Sequence, residues 1–497
     1  MKSRLLRGFV AVLGGNVTTK LVGVAFVPVL VRFVGSDGYG DYAFVTSSMW
    51  LLLIVANAGI FTSLRKYIPE ARDYPDWADR VFGFYVRWAV VLVGAAVALV
   101  LAGVATGAVG GLFGDRFGTY FLVMCGMLVT TQFHSVTRAA LMAFGREPAS
   151  EGLHALQKAL FAGFAVLALA VGFGVTAVLV AFTVASGIVA VAGAVALRHN
   201  VALRAVLERP PPDFPRRELF AYNGLTILLI GGTFSLYHVD VVLLQTFYGS
   251  HETGLYRASL QISEFLWFVP IVVGTVFIHS LSELWSRDRT DLVEEIAARS
   301  TRYTIVVTLL FALGVAALAE PFVALYFGED FLPAVGPLLV LLPGAFGFAI
   351  ARQLFSVGQA KGALRVLIAA TGSAAALNLV LNLLLIPPYG MWGAAVATST
   401  SYGSMAVFHV RAARSIGFDP LADIRAGPTL ATALLAAPAI LGAGYALDGL
   451  VALVVVPPTG FVLYAALALK TGAVDAAEVT DLVGPLPEPV ARALAWF

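Results

Sequence analysis

The sequence predicts an all-α integral membrane protein of about fourteen transmembrane helices, built as two six-helix lobes related by pseudo-twofold symmetry plus two C-terminal helices. Three observations carry that expectation: a composition that is 59% hydrophobic and 12% charged, fourteen apolar runs, and a turn written twice at an offset of 214 residues.

Composition sets the solvent. A soluble chain carries about 25% charged residues, and mean hydropathy here is +0.87. So much apolar surface in 497 residues requires lipid around it. The single Cys125 excludes a disulfide framework and a cysteine-based metal site. A net charge of +2 gives no hold on nucleic acid. The opening MKSRLLRG, followed by a long apolar run without an A-x-A-like site, reads as a retained first span and not as a cleaved signal peptide.

A crossing helix needs roughly 20 apolar residues. With Gly/Pro turns and charge clusters as punctuation, such runs lie near 8–34, 41–63, 81–112, 118–143, 152–172, 175–197, 219–247, 255–284, 303–326, 332–356, 364–386, 391–411, 428–447 and 449–470. The connecting segments fix the orientation. With both termini in the cytoplasm, 24 Lys and Arg fall in cytoplasmic segments and one, Arg116, outside. Positive charge collects on the cytoplasmic side, so the count of spans is even.

The repeat supplies the organisation. FVGSDGYGDYA (33–43), after the first run, matches FYGSHETGLYR (247–257), after the seventh, in Phe, Gly, Ser, Gly and Tyr. At the same offset FGDRF (113–117) is answered by FGEDF (327–331), and Arg138 by Arg352; near an offset of 216, GVTAVLVAFTVASG (174–187) echoes GMWGAAVATSTSYG (390–403). Turn convergence on glycine explains a single match; collinear matches through six spans indicate duplication. The expected domains are a six-helix lobe over 1–200, a cytoplasmic linker over 201–218, a second lobe over 219–414, two additional helices over 415–470, and a cytoplasmic tail over 471–497. Parallel repeats of this kind rock about a central site in secondary transporters.

An Asn and a Lys within the first span, then LVRFVGSDGYGDYAF, RKYIPE, HVDVVLLQTFYGSHETGLYRAS and YGMWGAAVATSTSYG, resemble prokaryotic polysaccharide flippases. These are the Wzx-like members of the multidrug/oligosaccharidyl-lipid/polysaccharide exporter superfamily, and the resemblance covers roughly residues 1–415. It implies two lobes around a cavity, two C-terminal helices forming a lipid-facing groove, and a lipid-linked oligosaccharide as cargo.

Seven basic residues fall inside the spans: Lys20, Arg32, Arg87, Arg138, Lys158, Arg257 and Arg352. A charge at helix centre costs a few kcal/mol and faces protein or a wet cavity. Snorkelling to the cytoplasmic interface accounts for Arg87 and Lys158; for Arg138 and Arg352 the matched positions add a cavity-mouth role beside it. Lys20 lies near mid-span, with Asn16 one turn back on the same face and Pro28 loosening the helix. It is a candidate phosphate ligand, or else an ion-pair partner of Asp240 or Glu264. Arg32 and Arg257 stand near the external ends of their spans, as an outer anion site or as snorkelling side chains. Asp240, two residues from His238, and Glu264 are candidates for H⁺ or Na⁺ coupling or for structural charge pairing; His279 is a further polar residue of the second half. Asn378 and Asn382 stand one turn apart and can bond sugar or a neighbouring helix.

No Walker A loop, clustered His/Cys metal site or catalytic triad occurs, so a transporter without cofactor is expected, not an enzyme. The expected function is translocation of a polyisoprenyl-(pyro)phosphate-linked oligosaccharide from the cytoplasmic to the external leaflet of the plasma membrane by alternating access. Partners would be membrane lipid, glycan-assembly enzymes and a coupling ion, H⁺ or Na⁺, with the protein acting as a monomer. A cation antiporter of the same superfamily would favour central carboxylates over Lys20. A polysaccharide polymerase or ligase needs a large external loop, and the external segments here are short.

Overall fold

The computed structural model describes residues 2–478 apart from 71, 209, 268–269, 271–280, 282–283, 286 and 288; the side chains of 2–18, 203, 225 and 226 also lie outside the described residues. Among the described residues there is no strand, and ten helices are long and apolar enough to cross a membrane. The predicted His279 and the tail from 479 onward lie outside the described residues. The chain divides into two compact units, Met1–Gly254 and Leu255–Phe497.

The first unit begins with α1 (Lys2–Asn57), followed by α2 (Ile60–Tyr67), α3 (Trp77–Ala105), α4 (Ala108–Phe113), α5 (Arg116–Ala143), α6 (Glu147–Ala170), α7 (Val175–Leu197) and α8 (Arg216–Tyr248). A straight helix as long as α1 would run roughly 80 Å at 1.5 Å per residue, far beyond the ~30 Å hydrocarbon core. It is broken at Gly35 (φ 66°, ψ −173°), so the first two predicted spans meet in a tight corner instead of a loop. The predicted second span, drawn to residue 63, breaks earlier: Ala58 and Gly59 both take left-handed φ before α2 begins. The third, drawn to 112, ends at Ala105, and α4 fills the remainder.

Small residues let α5 and α7 approach closely. Gly126 faces Thr183 and Gly187 faces Thr130, each close enough that a side chain on the glycine would press on its neighbour. At the other end an aromatic cluster of Tyr67, Trp77, Phe84 and Phe214 packs the loops together. Arg87 donates to the carbonyls of Ala205, Val206 and Glu208, so it ties the linker to α3.

The repeated turn is repeated in geometry. Gly249 (φ 82°, ψ −169°) copies the backbone of Gly35, and Gly328 (φ 106°, ψ 162°) copies that of Gly114 (φ 100°, ψ 154°). A Cβ on Gly40 would collide with the carbonyl of Ser250, and one on Gly254 with the carbonyl of Ser36. Since 36 pairs with 250 and 40 with 254 at the repeat offset, the contact is reciprocal, the pattern that a twofold axis generates.

Helix α9 (Ser250–Ser263) leads into the second unit, where a 3₁₀ turn over Glu264–Trp267 interrupts the predicted run 255–284. Then come α10 (Thr290–Tyr326), α11 (Val335–Ala360), α12 (Leu364–Ser415), α13 (Ala426–Ala446) and α14 (Gly449–Thr471). Helix α12 breaks at Gly390 (φ 54°, ψ −133°), where the eleventh and twelfth predicted spans join. Its second half packs on α11 through Gly344 against Ser399 and Gly347 against Gly403. The two C-terminal helices lie on α10, with the Tyr464 hydroxyl donating to the Val306 carbonyl at 2.9 Å. Between them runs an apolar groove of about 340 Å³ that includes Phe265, Leu310, Phe322, Val456 and Phe461.

Candidate substrate site

Lys20 projects from α1 fifteen residues before the Gly35 corner. It is exposed and forms no hydrogen bond or ion pair with the described residues. Asp240, its expected partner, is fully buried in α8, where its Oδ1 accepts the Val241 N–H at 2.8 Å. No ion pair joins Lys20 to Asp240 among the described residues. The side chain of Asn16 lies outside the described residues. Arg32 is exposed near the end of the same half-helix. His238 stands 3.2 Å from the Ser47 hydroxyl.

Arg138 does not snorkel. Its Nη2 lies 2.8 Å from Glu151 Oε1, and its guanidinium covers the Phe61 ring at 5.9 Å. Glu151 was not singled out by sequence, although a signal exists. Gly145 takes a left-handed φ of 69° and closes the α5–α6 hairpin, which sets residues equally far from it face to face. Arg138 lies seven residues before that glycine and Glu151 six after.

The hairpin continues as a polar seam. On α5, Thr131, His134 and Arg138 share a face; on α6, Glu151, His154 and Lys158 do the same. His134 and His154 stack at 5.8 Å with ring planes 15° apart. Thr131 Oγ1, both His134 nitrogens, Arg138 Nε, Glu151 Oε2 and His154 Nδ1 are buried without a hydrogen-bond partner among the described residues. Unsatisfied buried polar atoms of this density call for water or ligand. Lys158 sits half-buried over the Phe182 ring at 6.0 Å.

A second ion pair lies at the Gly35 corner. Asp41, 2% exposed, receives Arg116 Nη2 at 2.9 Å and the Ser250 hydroxyl at 2.5 Å. Arg116, the one basic residue assigned outside, is thus committed to a buried carboxylate that sequence did not single out.

In the second unit, Arg257 Nη1 stands 3.5 Å from Glu264 Oε1. Arg352 covers the Phe355 ring at 5.3 Å, so matched numbering with Arg138 does not extend to a matched carboxylate partner. Asn382 donates to Asn378 at 3.0 Å, and Asn378 to Thr398 at 3.4 Å. These amides tie the two halves of α12 together. The described residues contain no group of three or more metal-binding side chains.

The chain is a multi-pass helical protein whose fold is shared with solved lipid flippases and multidrug transporters. Its backbone is similar to a lipid II flippase MurJ in an inward closed conformation, with a TM-score of 0.73 at 12% identity over 94% of this chain and 98% of that one. It is also similar to an inward-facing multidrug resistance MATE family transporter, with a TM-score of 0.62 at 15% identity over 80% of this chain and 94% of that one. The chain belongs to the polysaccharide biosynthesis protein family, whose model matches residues 5–285, and the lipid II flippase MurJ model matches residues 257–456. A probable low-salt glycan biosynthesis flippase, Agl15 of Haloferax volcanii, is 26% identical over 205 residues, 40% of this chain and 42% of that protein. An uncharacterized membrane protein of Methanocaldococcus jannaschii, MJ1068, is 24% identical over 195 residues, 39% of this chain and 38% of that protein. The matched stretch thus spans about two fifths of each curated relative.

Proposed function

We propose that the protein is a flippase that carries a polyisoprenyl-(pyro)phosphate-linked oligosaccharide from the cytoplasmic to the external leaflet of the plasma membrane, for cell-surface polysaccharide or glycoprotein synthesis. The observation that carries this reading is Lys20, an exposed cation without a counter-ion among the described residues, on a helix apolar enough to span. Such a charge is costly in hydrocarbon and is balanced when a lipid phosphate arrives. Arg32 and Arg352 are further phosphate contacts in this proposal, with Asn16 beside Lys20; Arg138 joins them only by giving up Glu151, and Arg257 only by giving up Glu264.

The curated relative described as a probable glycan biosynthesis flippase, and the lipid II flippase model that matches residues 257–456, support the cargo class. The apolar groove on α13 and α14 suits the isoprenoid chain, which stays in contact with lipid while the sugar crosses. In the proposed cycle, lobes 1–200 and 219–414 rock as parallel repeats about the site, with both termini cytoplasmic. Coupling to H⁺ or Na⁺ would use the buried Asp240, and glycan-assembly enzymes would supply the substrate to a monomeric carrier. A cation antiporter would favour buried carboxylates free of protein cations, and two of the three among the described residues, Asp41 and Glu151, already face arginines.

The test is glycan export normalised to membrane-inserted protein. Lys20→Ala abolishes export and accumulates precursor in the inner leaflet, whereas Lys20→Arg retains part of it, because charge persists with altered geometry. Full export by Lys20→Ala refutes the phosphate role.

A further inference from the structure

A second site lies within the first unit, where α1, α2, α5 and α8 enclose a pocket of about 200 Å³. Its apolar walls are part aliphatic, from Leu53, Ile54, Ile227 and Ile230, and part aromatic, from Trp50, Phe61 and Phe234, with Trp50 and Phe234 in contact at 5.8 Å between ring centroids. Its polar groups are all neutral, namely Asn57, Thr131, Gln132 and Ser135. Asn57 donates to Gln132 Oε1 at 3.4 Å and to the Ser135 hydroxyl at 3.0 Å, which fixes the three side chains. Gln132 is fully buried, yet its Nε2 has no hydrogen-bond partner among the described residues, and neither has Thr131 Oγ1. The helix break at Ala58 (φ 44°) and Gly59 (φ 76°) adjoins the same pocket. A non-glycine residue held at positive φ is strained, and such strain clusters at ligand sites.

Three classes of occupant can be weighed. An acyl chain would fill the apolar volume but leave the Gln132 amide and Thr131 hydroxyl unpaired, which buried polar groups do not tolerate. A phosphate would need a cation, and no charged side chain lines the pocket. A sugar ring meets both demands. Its apolar C–H face packs on an aromatic wall, and its hydroxyls both donate and accept, as amide and hydroxyl side chains require.

We propose that this pocket is a saccharide subsite, with Trp50 as the stacking wall and Gln132, Asn57 and Thr131 reading the hydroxyls. The assignment deepens the flippase reading and rests on it for the source of the sugar, the glycan end of the lipid-linked cargo. The pocket is separate in chemistry from Lys20: one recognises uncharged polyol, the other phosphate.

The experiment uses full-length protein in detergent and the methyl glycosides of glucose, mannose, galactose and N-acetylglucosamine as probes. Saturation-transfer NMR should show binding of at least one glycoside. Gln132→Met, which keeps the length of the side chain but removes its hydrogen bonding, should weaken that binding at least tenfold, and Trp50→Ala should abolish it. Because Trp50→Ala removes a large side chain, Trp50→Phe is measured beside it and should retain partial binding. Each variant's melting temperature is recorded, since a purely structural role moves that temperature without selective loss of glycoside.

Absence of binding by wild type to every glycoside overturns the proposal, as does wild-type affinity in Gln132→Met. A spin-labelled fatty acid that quenches Trp50 fluorescence, undisplaced by the glycosides, assigns the pocket to lipid and overturns it too. Translocation of a polyprenyl-phosphate sugar in proteoliposomes, run in parallel, separates the two readings. Glycoside binding without translocation removes the flippase reading and leaves the subsite. Translocation by a Gln132→Met protein indistinguishable from wild type removes the subsite and leaves the flippase.

Discussion

Neutralising either partner of the Arg138–Glu151 pair should destabilise the first unit, and neutralising both should restore most of the loss. The ions lie 2.8 Å apart, and the carboxylate side chain is 2% exposed. At an effective dielectric of about 20, Coulomb attraction at that distance is roughly 6 kcal/mol. Desolvation of both ions opposes it, and removing one partner of a buried pair costs about 3–5 kcal/mol. Arg138 keeps 22% of its side chain exposed, so water recovers part of that, leaving about 2–3 kcal/mol for Glu151→Gln. Glu151→Gln leaves Arg138 near Arg65 and Lys158 with no buried carboxylate between them. Arg138→Met strands Glu151 instead. In the double variant two neutral groups replace two charges, and buried pairs replaced in this way lose little. The assay is thermal unfolding in detergent for wild type, both single variants and the double variant, read as a double-mutant cycle. The reasoning fails if the single losses simply add, or if neither single variant shifts the melting temperature.

Gly40→Ala should cost more than about 3 kcal/mol or prevent accumulation in the membrane, since its Cβ meets the Ser250 carbonyl; Gly254→Ala should behave alike, as checked by membrane yield and melting temperature. Cysteines at Asp37 and His251, both exposed, should react with an impermeant reagent in intact cells, and one at Asp213 only after lysis; labelling at 213 in intact cells reverses the orientation. Acid should release the segment after α14. The Arg425 hydrogen bond holds the Asp475 carboxyl below its usual range, and Glu478 also lies low: burial, the largest single effect, raises it, but the Arg302 bond and charge, the Asp475 N–H and the Tyr303 hydroxyl together outweigh that. Depressed carboxylates add stability above their unfolded pKa and lose it as pH falls through the folded value. Proteolysis within residues 472–478 should therefore be slow at pH 6 and faster below about pH 4.

Sequence by itself determined the class of the protein, most helix positions and the repeat. Each follows from properties local along the chain: the length of an apolar run, a glycine that takes positive φ, and a spacing that recurs. The run 175–197 matches α7 residue for residue, and the doubled turn appears as the shared conformation of Gly35 and Gly249. Tertiary structure alone decided which polar side chains meet. Hydropathy gives depth in the membrane but not the rotation of a helix about its axis, and that rotation selects partners. It set Arg138 on Glu151, Arg116 on Asp41 and Arg87 on the linker carbonyls, while leaving Lys20 without a partner among the described residues. It also assembled the Trp50–Gln132 pocket from four helices, because those residues share no motif and become neighbours only when the helices pack.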